Sequence, residues 1–175
     1  MKRKLHIGGK LRAEGWEVLN ANPAPYVDHV CNATDLSQFA DGTFSEIYAS
    51  HVIEHFDYQG EMVSALKGFW RVMEPGGTIY ISVPDLDVLA GLLLKKGTYN
   101  VDQRFLIMRM IFGGHVDKYD YHQVGLNEDI LKMFLKMAGF INMKKVPPFG
   151  FFNDTSNMGF MGIPISLNVI AKKPG

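Results

Sequence analysis

Cysteine is almost missing: Cys31 is the only one in 175 residues. No intrachain disulfide can form, so an oxidising compartment is not implied. Cys31 follows Val30 in an apolar run and reads as a buried, inert thiol. Net charge is missing too, because 18 Lys and Arg balance 18 Asp and Glu. Neutrality gives no electrostatic reason to expect a nucleic-acid or anionic-membrane partner. No apolar run approaches the roughly 20 residues that span a bilayer, so membrane insertion is not expected. The basic start Lys2-Arg3-Lys4 leads only to Leu5 and Ile7 before Gly8-Gly9, which leaves no signal-peptide core. These absences lead to the expectation of a cytoplasmic protein. There is no internal repeat and no low-complexity tract.

What is present suits one α/β domain, with 47% hydrophobic residues to build a core. Phe44-Ser45-Glu46-Ile47-Tyr48-Ala49 reads as a strand after the turn signal Asp41-Gly42. The spacing predicts a helix over 57–73, with Asp57 as N-cap. Met62, Leu66, Phe69 and Met73 lie on one face of it, with Ala65 and Trp70 beside them. Glu74-Pro75-Gly76-Gly77 ends that helix, since proline cannot continue it and glycine tolerates left-handed φ. The apolar run 78–83 then suits a parallel strand covered on both faces. Upstream, short strands are expected at Leu5-His6-Ile7, at 17–20 and at 28–31. Only about eight residues separate the first two, whereas a parallel crossover usually needs a dozen or more. The first crossover helix should therefore be reduced or absent.

Downstream, helices are expected over 86–96 and 102–112, then one capped by Asn127. Its first turn holds Glu128 and Asp129, where negative charge is favoured. Ile130, Phe134 and Met137 line its face, and Gly139 closes it. Stretches 140–146 and 163–171 read as closing strands around an aromatic loop, 149–160, which is either a pocket wall or a dimer contact. Methionines on helix faces (Met62, Met73, Met108, Met133, Met137) read as core filling. Alternating strands and helices argue for a doubly wound sheet, whose ligands bind beyond the carboxyl ends of the strands. The residues there are Gly8-Gly9, Asn20, Asn32-Ala33, Ser50-His51 and Pro84-Asp85.

The run Phe44-Ser45-Glu46-Ile47-Tyr48-Ala49-Ser50-His51-Val52-Ile53-Glu54-His55, followed by Arg71-Val72-Met73-Glu74-Pro75-Gly76-Gly77, resembles the small Rossmann-like S-adenosylmethionine-dependent methyltransferases. In that family a Leu-Glu-His-like turn follows the fourth strand, and an Arg-Val-Leu-Lys-Pro-Gly-Gly-like turn precedes the fifth. The approach Asp35-Leu36 to Asp41-Gly42-Thr43-Phe44 and the late turn Ala138-Gly139-Phe140 are also similar. The likeness covers residues 4–84 and 127–171. It implies a mostly parallel central sheet with a final antiparallel strand, in a single domain over 1–175. Residues 86–126 would be a helical and loop insertion forming an acceptor-side lid.

The resemblance implies S-adenosylmethionine as cofactor and S-adenosylhomocysteine as product. The acceptor would be a small molecule or a saccharide, the latter by the family's association with surface-polysaccharide synthesis. It implies cofactor contacts from Gly8, Gly9, Lys10, Asn20, Asn32, Ala33, Ser50 and His51, and catalytic base candidates His55, His115 and His122. The chain departs from the family pattern in three places. The glycine-rich loop is reduced to Gly8-Gly9-Lys10, and Asn20 and Asn32 stand where acidic residues hold the ribose and the adenine. Asparagine keeps a carbonyl acceptor but loses charge assistance, so weaker cofactor binding is expected. Lys10 or Arg12 would replace the missing helix N-terminus at the cofactor's carboxylate.

Two alternatives stay open. One is a non-catalytic methyltransferase-like binding subunit. The other is a zinc peptidase, because His51-Val52-Ile53-Glu54-His55 matches the pattern His-x-x-Glu-His. A zinc site of that type needs a helix carrying both histidines, whereas a strand runs into His51; no metal is expected on this ground. Otherwise Glu54 and His55 would simply cap the next helix. The segment Gly113-Gly114-His115-Val116-Asp117-Lys118-Tyr119-Asp120-Tyr121-His122 reads either as acceptor recognition or as a solvated loop tethered by its tyrosines. A homodimer is left open.

Overall fold

The computed structural model describes residues 2–175. In chain order the elements are β1 (Lys4–Ile7), β2 (Trp16–Asn20), β3 (His29–Val30), β4 (Phe44–Ser50), α1 (Glu61–Val72), β5 (Met73–Pro84), α2 (Leu86–Leu94), α3 (Val101–Phe112), α4 (Glu128–Met137), β6 (Ile141–Lys145), β7 (Gly159–Phe160), β8 (Ile163–Pro164) and β9 (Ser166–Lys172). Seven strands form one sheet in the order β3-β2-β1-β4-β5-β9-β6, while β7 and β8 make a separate hairpin. Pairings from β3 through β5 are parallel; β9 runs antiparallel to both β5 and β6. Strand order reverses between β1 and β4, the switch point where such sheets bind ligands. The expected Rossmann-like, mostly parallel sheet is present, and no helix joins β1 to β2.

One face of the sheet carries the main core. Leu5, Ile7, Ile47, Ala49, Ile79 and Ile81 pack with Met62, Ala65, Leu66 and Phe69 of α1 and with Leu131, Phe134 and Leu135 of α4. The opposite face follows from the register. His6 pairs with Val18 and Tyr48, and Tyr48 pairs with Tyr80, so these side chains form one row. Among the described residues, no helix covers that row. The aromatic loop does: Phe152 lies 4.1 Å from His6 and 4.8 Å from Tyr48, ring to ring. Phe151 meets Tyr80 at 4.9 Å. Tyr48 Oη donates to Asp154 at 2.8 Å, and Asn168 Nδ2 donates to the Ser156 carbonyl at 3.0 Å. These bonds pin the loop's polar end to the sheet.

Several boundaries differ from the sequence reading. α1 starts at Glu61 with Gly60 as its cap, because Asp57 is spent one turn earlier: its carboxylate accepts from the Gln59 N–H at 2.6 Å. α2 stops at Leu94. Residues 163–164 pair with 159–160, so the last long strand begins only at Ser166. Met133 and Met137 are about half exposed (49% and 55%), and the buried face of α4 is Leu131, Phe134 and Leu135. Cys31 is only partly buried; burial still pushes its thiol pKa up, and Gln38 donates to its sulfur.

Phe152 is 7% exposed and Phe151 is 44% exposed. Phe152→Ala is therefore expected to lower stability by about 3 kcal/mol. Phe151→Ala should lower it by less than about 1 kcal/mol. Urea unfolding of both variants checks the order.

Candidate functional site

A cavity of about 630 Å³ opens at the carboxyl ends of β1, β4 and β5, within the roughly 300–1,000 Å³ usual for small-molecule sites. Gly8 and Lys10 line it after β1, Ser50 and His51 after β4, and Pro84 after β5. Leu106, Arg109 and Met110 come from α3, and Asp120 and His122 from the segment after it. Phe152 to Thr155 of the aromatic loop complete the wall.

The two glycines after β1 have a steric cause. Gly8 has φ 73°, and a Cβ there would stand 2.5 Å from Val52 Cγ2. A Cβ on Gly9 would stand 2.8 Å from His6 Nδ1. Both positions therefore exclude side chains. His6 is itself buried against Phe152, and that burial lowers its pKa to about 4, so it is neutral near pH 7.

Not all the expected site residues meet at this cavity. Gly8, Lys10, Ser50, His51, His55 and His122 line it; Gly9, Asn20, Asn32, Ala33 and His115 do not. The Asn20 amide donates to the Gly9 carbonyl at 3.1 Å, and its oxygen accepts from the Asn22 N–H at 2.9 Å. The Asn32 oxygen accepts from the Thr34 N–H at 3.1 Å. Both asparagines thus order their own loops, while Ala33 is part of the core. His115 stacks on Tyr121 at 4.0 Å and bonds the Phe112 carbonyl at 2.9 Å. Arg12 is paired with Asp28 at 2.9 Å, whereas Lys10 has no ion pair among the described residues. Asp85 is buried beneath the site, capping α2 and reached by Lys145 at 3.3 Å.

The chain leaves β4 through left-handed backbone at His51, φ 52°, into a 3₁₀ turn at Ile53–His55. That turn carries Glu54 and His55, and His122 from the segment after α3 comes beside them. His55 Nδ1 meets the Tyr121 carbonyl at 3.0 Å, and His122 Nδ1 meets the Ile111 carbonyl at 3.1 Å. A carbonyl only accepts, so both Nδ1 atoms carry the proton and both Nε2 atoms carry the lone pair. The two rings are 4.9 Å apart. Burial, then the neighbouring His55, holds the His122 pKa below its ordinary value. Burial, then His122, lowers that of His51 to about 4.

Glu54 does not cap α1. It is 1% exposed, and neither carboxylate oxygen has a hydrogen-bond partner among the described residues. Burial alone raises its pKa to about 8. Residues outside the sequence reading also line the cavity. Arg109 was marked only by being a cation within the apolar run of α3; Asp154 had no sequence signal, because a loop conformation brings it there.

Residues 6–81 match the family model described as a methyltransferase domain. A search of the curated proteins found no match. Among solved structures, a SAM-dependent methyltransferase from Archaeoglobus fulgidus superposes with a TM-score of 0.62 at 16% identity, over 98% of this chain and 86% of that one. A SAM-dependent methyltransferase from Methanosarcina mazei gives 0.59 at 15% identity, over 99% and 92%. A Bordetella parapertussis chain described as a possible exported protein gives 0.59 at 12% identity, over 99% of this chain and 62% of its own. The chain thus spans less than two thirds of that last protein. No helix among the described residues is long and apolar enough to cross a membrane.

In metal-free buffer, Glu54 keeps its proton in the folded chain to about pH 8, while the unfolded chain releases it near 4.5. The folded state binds more protons across that window, so this residue lowers stability as pH rises through it. Glu54→Gln is expected to gain stability over the native protein progressively from pH 5 to pH 8, measured by denaturant titration. An offset constant with pH would contradict the assignment.

Proposed function

We propose that this chain, whose residues 6–81 carry the methyltransferase-domain signature, transfers a methyl group from S-adenosylmethionine to a hydroxyl of a small-molecule or saccharide acceptor. The observation that carries the reading is the cavity at the sheet's switch point, with two histidine Nε2 lone pairs on its wall. The family match and the shared fold support S-adenosylmethionine as the cofactor. Gly8, Lys10, Ser50 and His51 would meet it at the strand ends, with Lys10 facing its carboxylate. Gly9, Asn20, Asn32 and Ala33 would shape the neighbouring loops.

Methyl transfer is an in-line displacement, so alignment of sulfonium, methyl and acceptor oxygen is the main requirement. The acceptor's proton must also leave. A neutral imidazole with Nδ1–H held by a carbonyl presents Nε2 as the base. His55 and His122 have that arrangement on the cavity, and His115 would order the segment that carries His122. The segment 86–126, which supplies one wall of the cavity, would be the acceptor-side lid.

A second reading, a cofactor-binding subunit without turnover, is favoured by one observation. The Asn20 and Asn32 side chains are occupied by their own loops and add no charge.

Calorimetric titration with S-adenosylmethionine and S-adenosylhomocysteine should show one molecule of either per chain. Gly8→Ala should abolish that binding. With a turned-over hydroxyl acceptor, His55→Ala or His122→Ala should each lower kcat by about 100-fold. Binding of neither ligand would defeat the proposal, and tight binding without turnover would select the second reading.

A further inference from the structure

We propose that Glu54, His55 and His122 form a binding site for one divalent transition-metal ion of the zinc class, set in the cavity wall. One ligand atom from each lies within 4.8 Å of the others. Three features of the surroundings fit a cation.

The first is the buried carboxylate. Buried polar groups are nearly always hydrogen-bonded, yet both Glu54 oxygens lack a partner at 1% exposure. The second is the orientation of the imidazoles. His55 and His122 each give Nδ1–H to a main-chain carbonyl, Tyr121 and Ile111. Metal-binding histidines are characteristically held this way, with the outer N–H on a carbonyl and the inner nitrogen bare. The third is His51. Ser166 Oγ donates to the Thr155 carbonyl at 2.7 Å, so His51 Nε2 must be the donor in its 3.1 Å contact with Ser166. His51 Nδ1 then bears a lone pair and stands 3.5 Å from Glu54 Oε1, beyond a hydrogen bond. Once Glu54 gives up its proton, as metal binding requires, two acceptors face one another, and a cation beside them resolves the pairing.

The donor set chooses the class of ion. Two imidazoles and one carboxylate suit zinc and its first-row neighbours, not magnesium or calcium, which take oxygen ligands. The site is not the one suggested by His-x-x-Glu-His, in which His51 and His55 would ligate from a single helix. The turn at Ile53–His55 prevents that, and His122 from a distant segment takes the place of His51. Three protein ligands would leave a coordination position, and two of them, His55 and His122, border the main cavity, from which an acceptor could reach the ion.

The ion's chemical role rests on the methyl-transfer reading; its binding does not. A hydroxyl on the open position would lose its proton to water at lower pH. Its oxygen would then form the new bond to the methyl carbon, while the carbon–sulfur bond breaks and its electron pair stays on sulfur as the thioether. Activation by the ion would replace direct deprotonation by His55 or His122.

The test is calorimetric titration of chelator-stripped protein with zinc chloride alone. One equivalent should bind saturably, raising the melting temperature. Glu54→Gln, which keeps the shape of the side chain, and His122→Ala should each weaken zinc binding at least 10-fold, and His29→Ala should not. Absence of saturable binding, or affinity unchanged from the native protein in both Glu54→Gln and His122→Ala, would overturn the site. Zinc binding without S-adenosylmethionine binding would support the site while defeating the methyl-transfer reading, so the two fail separately.

Discussion

The connection from β1 to β2 is too short to carry a helix, and the row Val18, His6, Tyr48 and Tyr80 must therefore be covered from elsewhere in the chain. The cover comes from Phe151, Phe152 and Asp154, more than a hundred residues downstream of β1 and β2. Much of the site depends on this exchange. Phe152 presses on His6, and His6 leaves no room for a side chain on Gly9. The same loop carries Asp154 and Thr155 to the cavity, where Thr155 accepts from Ser166 and so fixes the tautomer of His51. A shortened crossover thus reaches the tautomer of the histidine just after β4 through the loop that replaces the missing helix.

The sheet itself was readable because its signals are local. The apolar runs 44–49 and 78–83 need only nearby turn chemistry to be placed, although β5 starts already at Met73 and takes Pro75-Gly76-Gly77 into an irregular first part of the strand. The missing helix was readable from chain length alone. Boundaries were less so. Asp57 is a good capping residue, but Gln59 captures its carboxylate first, and the helix starts at Glu61. Met137 fits the helical period, yet Leu135 lies under the sheet instead. The period tells which residues share a face but not how far the buried stripe extends.

The site was legible in part for a similar reason. Gly8, Ser50 and His51 follow from topology, since strand ends define the cavity. Asn20 and Asn32 occupy the expected positions in the chain, but short polar side chains after strands also close Asx turns, and here they do. The aromatic loop left two roles open, and only its path over the sheet decides that it is a cover. Arg109 and Asp154 reach the cavity through tertiary placement, which no spacing in the chain records.

Glu54 shows where the sequence pattern and the structure diverge most usefully. Read along the chain, it stands between two histidines and suggests ligands at 51 and 55. Folded, the turn at Ile53–His55 buries it completely and brings His122 beside His55. An ionised carboxylate at that depth needs a compensating charge, and among the described residues no Lys or Arg reaches it. A proton would neutralise it but would leave the lone pairs of His51, His55 and His122 around it without a shared partner. A single divalent ion, as proposed, would meet the carboxylate's charge and the imidazole lone pairs together, at the edge of the main cavity. The residues that looked like capping groups thus form the most chemically specific cluster in the fold.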